Sequence, residues 1–272
     1  MTTWRGAPPP DMPRIGAAGW LRVGLRGAGL IGLLALGMAL TLPLRLIERP
    51  LFGLRRPVTP WITQAVSRAA LAILGLRYRR RGRPMRARGA LVANHASWLD
   101  IFSLNAGGRV YFVSKAEVAD WPGIGWLARA TGTVFIARDR REAKAQADLF
   151  EARLRAGHRL VFFPEGTSTD GRRVLPFKST LFAAFLGAEL RGILSVQPVT
   201  VIYTAPEGED PAFYGWWGDM GFGPHALKLL ASPRPGGVEL VYHPPLKVSE
   251  FADRKALARA CEAAVRSAAP TA

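Results

Sequence analysis

Cysteine is almost missing from this chain. The single one, Cys261, excludes a disulfide framework and any cysteine-based metal site. Histidine is scarce as well. The four histidines are scattered, so they spell out no zinc site, and neither metal nor cofactor is expected. Acid is in short supply: 20 Asp and Glu stand against 37 Lys and Arg, a net charge of +17. That balance implies an anionic partner: nucleic acid, an acidic membrane surface or a phosphate-bearing substrate. Zinc-finger spacing, an RNA-binding aromatic signature and a helix-turn-helix are all lacking, so no nucleic-acid partner is expected.

What is present begins with apolar length. Hydrophobic residues make up 49% of the 272, enough for one large domain with an appendage. Residues 1–25 are basic and rich in Pro and Gly, with poor order expected at the start. Gly27 to Leu44 is an uncharged apolar run of 18 residues between Arg26 and Arg45, at the lower limit for crossing a bilayer. It starts late, and Pro43 with the basic stretch beyond it does not resemble a signal-peptide cleavage site. A buried core helix is the other reading. Residues 59–76 form a second helical pattern, with Trp61, Ile62, Ala65, Val66 and Ala69 among its apolar positions. Arg77, Arg79, Arg80, Arg81, Arg83, Arg86 and Arg88 follow. A basic cluster beside an apolar helix reads as cytoplasmic and facing anionic lipid. Arginines also flank the first run on its other side, so one span and two helices dipping into one leaflet fit equally. The expected division is a basic N-terminal segment (1–25), a helical membrane anchor (26–84) and a folded domain (85–272).

From residue 89 onward, strands and helices alternate. Strands are predicted at 89–94, 109–114, 132–137, 159–164, 194–203 and 237–243. Helices are predicted at 97–106, 123–130, 140–156, 178–190, 222–231 and 250–267. This predicts an α/β fold: a layered mixed sheet with flanking helices. Pro198 inside a strand calls for a strand start, a bulge or an edge.

Asn94-His95-Ala96-Ser97-Trp98-Leu99-Asp100 follows the first of these strands. Ser97 and Asp100 have capping-box spacing, with Ser97 as the expected N-cap. A carboxylate one helical turn in can reach back to a ring nitrogen of His95, fix its tautomer and stabilise the imidazolium. The pair thus supplies a base and its orienter without a nucleophile. Taken alone it is also what an N-cap beside a buried histidine would look like. Further along, Gly132–Arg138 is an apolar strand delivering Arg138 at its end, where a guanidinium can grip phosphate. Pro164-Glu165-Gly166-Thr167 follows another strand. Gly166 permits a tight turn, and the amides of Gly166 and Thr167 could form an anion nest. Glu165 is expected to accept from substrate hydroxyls or orient Arg138. Lys115 and Lys178 are further cations at strand or loop ends.

In this order and spacing, with Val196-Gln197-Pro198-Val199 as a fourth block, residues 85–245 resemble the lysophospholipid acyltransferases of the 1-acylglycerol-3-phosphate acyltransferase type. The resemblance implies the glycerolipid acyltransferase fold and a helical N-terminal membrane anchor. It implies that His95 and Asp100 are catalytic and that Lys115, Arg138, Glu165, Gly166 and Thr167 bind substrate. Its partners would be a membrane lysolipid and an acyl thioester of acyl carrier protein or coenzyme A. Its location would be the bacterial inner membrane, catalytic domain on the cytoplasmic side. The leading acceptor is 1-acylglycerol-3-phosphate. Two departures weaken a phosphate acceptor: Ser168 stands where many members carry Arg, and Lys178 is followed by Ser179-Thr180 where many carry Gly at the second position. Trp216-Trp217-Gly218-Asp219-Met220 followed by Pro224-His225 is similar to bacterial members that acylate lyso-ornithine lipid, the alternative acceptor. A lipid hydrolase or thioesterase and a non-catalytic basic membrane-binding protein are the readings of other classes. Oligomeric state is left open.

Overall fold

The computed structural model describes residues 3–6, 8–10, 14–136 and 143–270. At its centre lies a mixed sheet of β1 (Leu76–Arg81), β2 (Gly89–Ala93), β3 (Tyr111–Lys115), β4 (Val134–Ile136), β5 (Arg159–Phe162), β6 (Ser195–Thr204) and β7 (Gly236–Tyr242). Their order is β1-β7-β6-β2-β5-β3-β4, with β8 (Leu246–Lys247) also paired to β6. Strands β2 to β6 run parallel, β7 is antiparallel to β6, and β1 follows β7. The carboxyl ends of β2, β3, β4 and β5 therefore share one edge, where open α/β sheets place their ligands.

Both faces of the sheet are covered. On β2, Leu91 and Ala93 join a core with Leu71, Leu99, Leu104, Phe213 and Leu229. Their neighbours Ala90 and Val92 join a second core with Leu154, Phe182, Phe185 and Leu257. This is the two-residue period of a strand, each face packing its own helical layer. The first layer holds α2 (Thr59–Ile73), α3 (Asp100–Gly107) and α7 (Phe222–Ala231); the second holds α5 (Ala143–Arg155) and α8 (Arg254–Arg266). The remaining helices are α1 (Ala17–Phe52), α4 (Ile124–Thr131) and the short α6 (Ala188–Arg191).

Several expectations need correction. Arg77 to Arg81 belong to an edge strand of the sheet, so the folded domain begins near residue 76 and not at 85. Exposed arginines on an edge strand deter pairing with another chain. Residues 17–25 are helical, the first turns of α1. The helix predicted at 178–190 is broken into a 3-10 stretch, Ser179–Phe185, and α6, with Gly187 between them. Pro198 lies in an interior strand. On one side β6 pairs with β2 throughout residues 195–199; on the other, β8 covers residues 195–196 and β7 covers 199–204. Pro198 falls in the gap between β8 and β7, where a missing N–H costs nothing. The Gln197 side chain closes that gap. It accepts from Met85 N at 2.7 Å and donates to the carbonyls of Arg83 and His243 at 2.9 Å each.

α1 packs along α2 as a hairpin of small residues. A Cβ on Gly37 would meet Val66 Cγ2 at 2.8 Å, and one on Gly29 would touch Ile73. At the turn, buried Glu48 accepts from Val58 N, Thr59 N and Thr59 Oγ1 at 2.6, 3.0 and 2.7 Å. It thereby caps α2 with the end of α1. Only 11% of the most apolar 18-residue window of α1 is buried, which rules out a core helix.

Candidate active site

Asn94 sets the turn that carries His95. Its side-chain amide pairs with β6 as a backbone residue would, accepting from Val201 N at 2.8 Å and donating to Val201 O at 2.9 Å. The chain then leaves the sheet. Asp100, first residue of α3, is wholly buried, and its Oδ2 lies 2.7 Å from His95 Nδ1. The same oxygen accepts from Ala96 N at 2.9 Å and Ser97 N at 3.2 Å. The expected Ser97 cap does not form: its hydroxyl is buried without a hydrogen-bond partner. The backward reach of the carboxylate, half of a capping box, does form. Asp100 Oδ1 accepts from the Tyr203 hydroxyl at 2.8 Å. Burial, and then the neighbouring Asp100, push that phenol well above its ordinary range, so it stays a donor.

His95 is therefore held with its proton on Nδ1, and Nε2 keeps a lone pair. Its ring stacks on Phe163, centroids 4.1 Å apart, and its side chain is 22% exposed, enough for a substrate to reach it. Its backbone is pinned too. Thr169 N donates to His95 O at 2.9 Å, and Trp216 N donates to Ala96 O at 2.8 Å.

Glu165 has a different place from the one expected. It is 1% exposed; Oε1 accepts from His95 N at 2.8 Å and Oε2 from Leu175 N at 3.0 Å. Both oxygens thus serve the backbone, where acceptor hydroxyls or Arg138, which lies outside the described residues, were expected. Burial pushes its carboxyl up to about 8, against the pull of those two amides. Gly166 adopts φ +72°, as a tight turn requires, but its N–H donates to Phe163 O at 3.0 Å and is not offered to an anion. The Thr167 hydroxyl accepts from Trp4 N at 3.4 Å. Lys115 ends β3, on the same sheet edge as His95. Arg138 lies outside the described residues. Lys178, given little weight in the sequence, stands over the turn: a Cβ on Gly166 would be 2.7 Å from its Nζ. Tyr203 and Asn94 carried no sequence signal as site residues. Tyr203 lies 103 residues from Asp100, and only the β6–β2 pairing brings them together.

The arrangement can do one thing well. It presents an oriented imidazole, backed by a carboxylate, beside a cationic edge, with no serine or cysteine among the described residues hydrogen-bonded to that imidazole. That suits activation of a hydroxyl held on a second substrate.

Comparison with known proteins gives the family of the chain. A family model described as acyltransferase matches residues 76–203. A lyso-ornithine lipid O-acyltransferase from Rhodobacter capsulatus is 64% identical over 97% of this chain and 96% of its own. Another from Pseudomonas aeruginosa is 36% identical over 92% and 96%. A 1-acyl-sn-glycerol-3-phosphate acyltransferase from Neisseria gonorrhoeae is 32% identical over 75% and 78%. In fold, the chain is similar to a crystal structure of a 1-acyl-sn-glycerophosphate acyltransferase from Thermotoga maritima, with a TM-score of 0.56 and 20% identity, covering 89% and 95%.

Proposed function

The chain belongs to the acyltransferase family and is a membrane-associated lysolipid O-acyltransferase; from that premise we propose that its acceptor is lyso-ornithine lipid. The observation that carries this reading is the 64% identity, end to end, to a protein of that name. It favours the alternative acceptor over 1-acylglycerol-3-phosphate. Ser168, where a phosphate-binding member often has Arg, points the same way.

In the proposed mechanism, the acceptor hydroxyl hydrogen-bonds to His95 Nε2. As its oxygen bonds to the thioester carbonyl carbon, the proton passes to Nε2. The imidazolium is stabilised through Nδ1 by Asp100. The tetrahedral intermediate collapses, the carbon–sulfur bond breaks, and the thiolate leaves and takes the proton from Nε2. Ester and free thiol are the products, and His95 is again neutral. Tyr203, Ala96 N and Ser97 N fix Asp100, and Glu165 fixes the backbone of His95; these are positioning roles. Lys115, Lys178 and the Gly166-Thr167 turn supply the cationic, polar rim over which the acyl donor, a thioester of acyl carrier protein or coenzyme A, is bound. The domain faces the cytoplasm at the bacterial inner membrane, where such thioesters are made.

The test offers purified protein a labelled acyl thioester with lyso-ornithine lipid or lysophosphatidic acid. Acyl transfer is expected with lyso-ornithine lipid and should vanish in His95→Ala. Preference for lysophosphatidic acid would refute the acceptor. Fatty acid released without any acceptor would make the protein a hydrolase.

A further inference from the structure

The segment of residues 3–6 returns to the site. Trp4 N donates to Thr167 Oγ1, 163 residues away, in the turn that follows β5. The Trp4 ring packs tilted on Trp217, centroids 5.9 Å apart, and the Arg173 guanidinium lies 5.0 Å from its centre. Arg173 is itself anchored: the carboxylate of Asp170, 3% exposed, takes Arg173 Nη2 at 2.9 Å and Nε at 3.1 Å. The strap therefore rests on a fixed aromatic and cationic platform. Both supports adjoin the catalytic turn, since Thr169 and Trp216 hold the carbonyls of His95 and Ala96.

Beside the platform is a groove of about 430 Å³ lined by Arg5, Pro8, Pro9, Trp217, Asp219 and Met220. Arg5 Nη2 and Asp219 Oδ2 face each other across it at 3.5 Å, with side chains 73% and 80% exposed. An ion pair that open to water contributes little to the fold. Trp4, and not this pair, holds the strap. What the pair offers is one cation and one anion side by side, with Asp219 three residues beyond Trp216, whose N–H holds the Ala96 carbonyl.

We propose that this groove binds the acceptor headgroup as a zwitterion, Arg5 taking the carboxylate and Asp219 the ammonium of an amino-acid headgroup. The inference rests on the lyso-ornithine reading above and names where that headgroup is read. A guanidinium suits a carboxylate because it can donate two parallel hydrogen bonds. The consecutive Pro8 and Pro9 in the groove wall have fixed φ, so less order is lost on binding. A phosphate headgroup, with no positive group, would leave Asp219 as a repelling charge. The same pair thus selects against it.

The experiment uses the full-length protein in mixed micelles, with KM and kcat measured separately for lyso-ornithine lipid and lysophosphatidic acid. Arg5→Glu and Asp219→Lys should each raise KM for lyso-ornithine lipid about tenfold and leave kcat within about twofold, the effect of losing one charge contact. Asp219→Lys should lower KM for lysophosphatidic acid. The exchanged pair, Arg5→Asp with Asp219→Arg, should keep the raised KM, because the acceptor's own charges are not exchanged. If the exchange restores KM, the pair is a structural clasp and the proposal falls. Unchanged KM in the single variants also overturns it. Failure of the acceptor reading itself shows separately, as a wild-type protein that does not acylate lyso-ornithine lipid. Melting curves on the same samples verify folding.

Discussion

Asp100 receives four hydrogen bonds on two oxygens, and only one of them comes from His95. The other three leave it no freedom to turn. Asp100→Asn is therefore held with its amide oxygen toward Ala96 N, Ser97 N and His95 Nδ1 and its NH2 toward the Tyr203 hydroxyl, and what it loses is the negative charge that stabilises the imidazolium. We expect kcat to fall about 10²- to 10⁴-fold, the usual contribution of a positioned base, with the fold retained by circular dichroism. Tyr203→Phe removes one of four donors and should cost far less, about tenfold in kcat. Equal losses would mean that Tyr203 does more than position. Glu165 makes a prediction about pH. Its carboxyl ordinarily ionises at 4.5 and is raised to about 8 in the fold. Between those values the unfolded chain has lost a proton that the folded chain keeps. The stability it contributes is complete below about 4.5, declines as pH rises, and is gone above about 8. In Glu165→Gln that slope should vanish, so the melting temperatures of variant and wild type should diverge across this window. Parallel curves would show that Glu165 is ionised throughout.

The hairpin of α1 and α2 hangs on Glu48 at one end and on close packing at Gly37. Glu48→Ala strips acceptors from two backbone N–H groups and a hydroxyl, and each buried donor left unpaired costs about 1–3 kcal/mol. A loss of that order should appear in chemical denaturation in detergent; an unchanged midpoint would mean that water replaces the carboxylate. This hairpin also marks where sequence reading ran out. Both helices were legible, since apolar runs of that length leave few choices. Glu48 was not, because a glutamate near a helix end looks like any solvated charge until a partner 11 residues away is known. β1 was missed for a related reason. Four arginines in six residues show no apolar alternation, and only pairing with β7, at the far end of the chain, makes them a strand. The six predicted central strands all formed, because short apolar runs bounded by turn residues suit strands of a sheet covered on both faces. In the site, His95 and Asp100 were legible because they are close in sequence. Tyr203, Asn94 and the true partners of Glu165 were not, because non-local strand pairing brings them together.

At the scale of the whole molecule, two forces act on one surface and can be separated by salt. α1 has 36 residues, about 54 Å at 1.5 Å each, and carries exposed Leu21, Leu25, Ile31, Leu36, Leu46, Ile47 and Leu51. It runs from the α7 end, where Arg22 and Arg26 hold the carbonyls of Leu230, Ala231 and Ser232, to α4, where Arg56 holds Ala130. An apolar face along so much of the molecule favours lipid over water whatever the headgroup charge. The net charge of +17 adds attraction to anionic headgroups, worth about 1 kcal/mol for each basic group near the surface. That part is screened within about 10 Å at 0.1 M salt and about 3 Å at 1 M. Binding to neutral phosphatidylcholine vesicles should therefore persist unchanged from 0.1 to 1 M salt. Binding to vesicles containing phosphatidylglycerol should be tighter at 0.1 M and converge on the neutral value at 1 M, as read by flotation. If salt strips the protein from both, the arginines hold it to the membrane and α1 does not insert. In that case the acceptor must leave the bilayer to reach His95, and activity should follow the monomeric lysolipid concentration. If α1 inserts, activity should follow its mole fraction in the vesicle, since the site then draws its acceptor from the plane in which the helix lies.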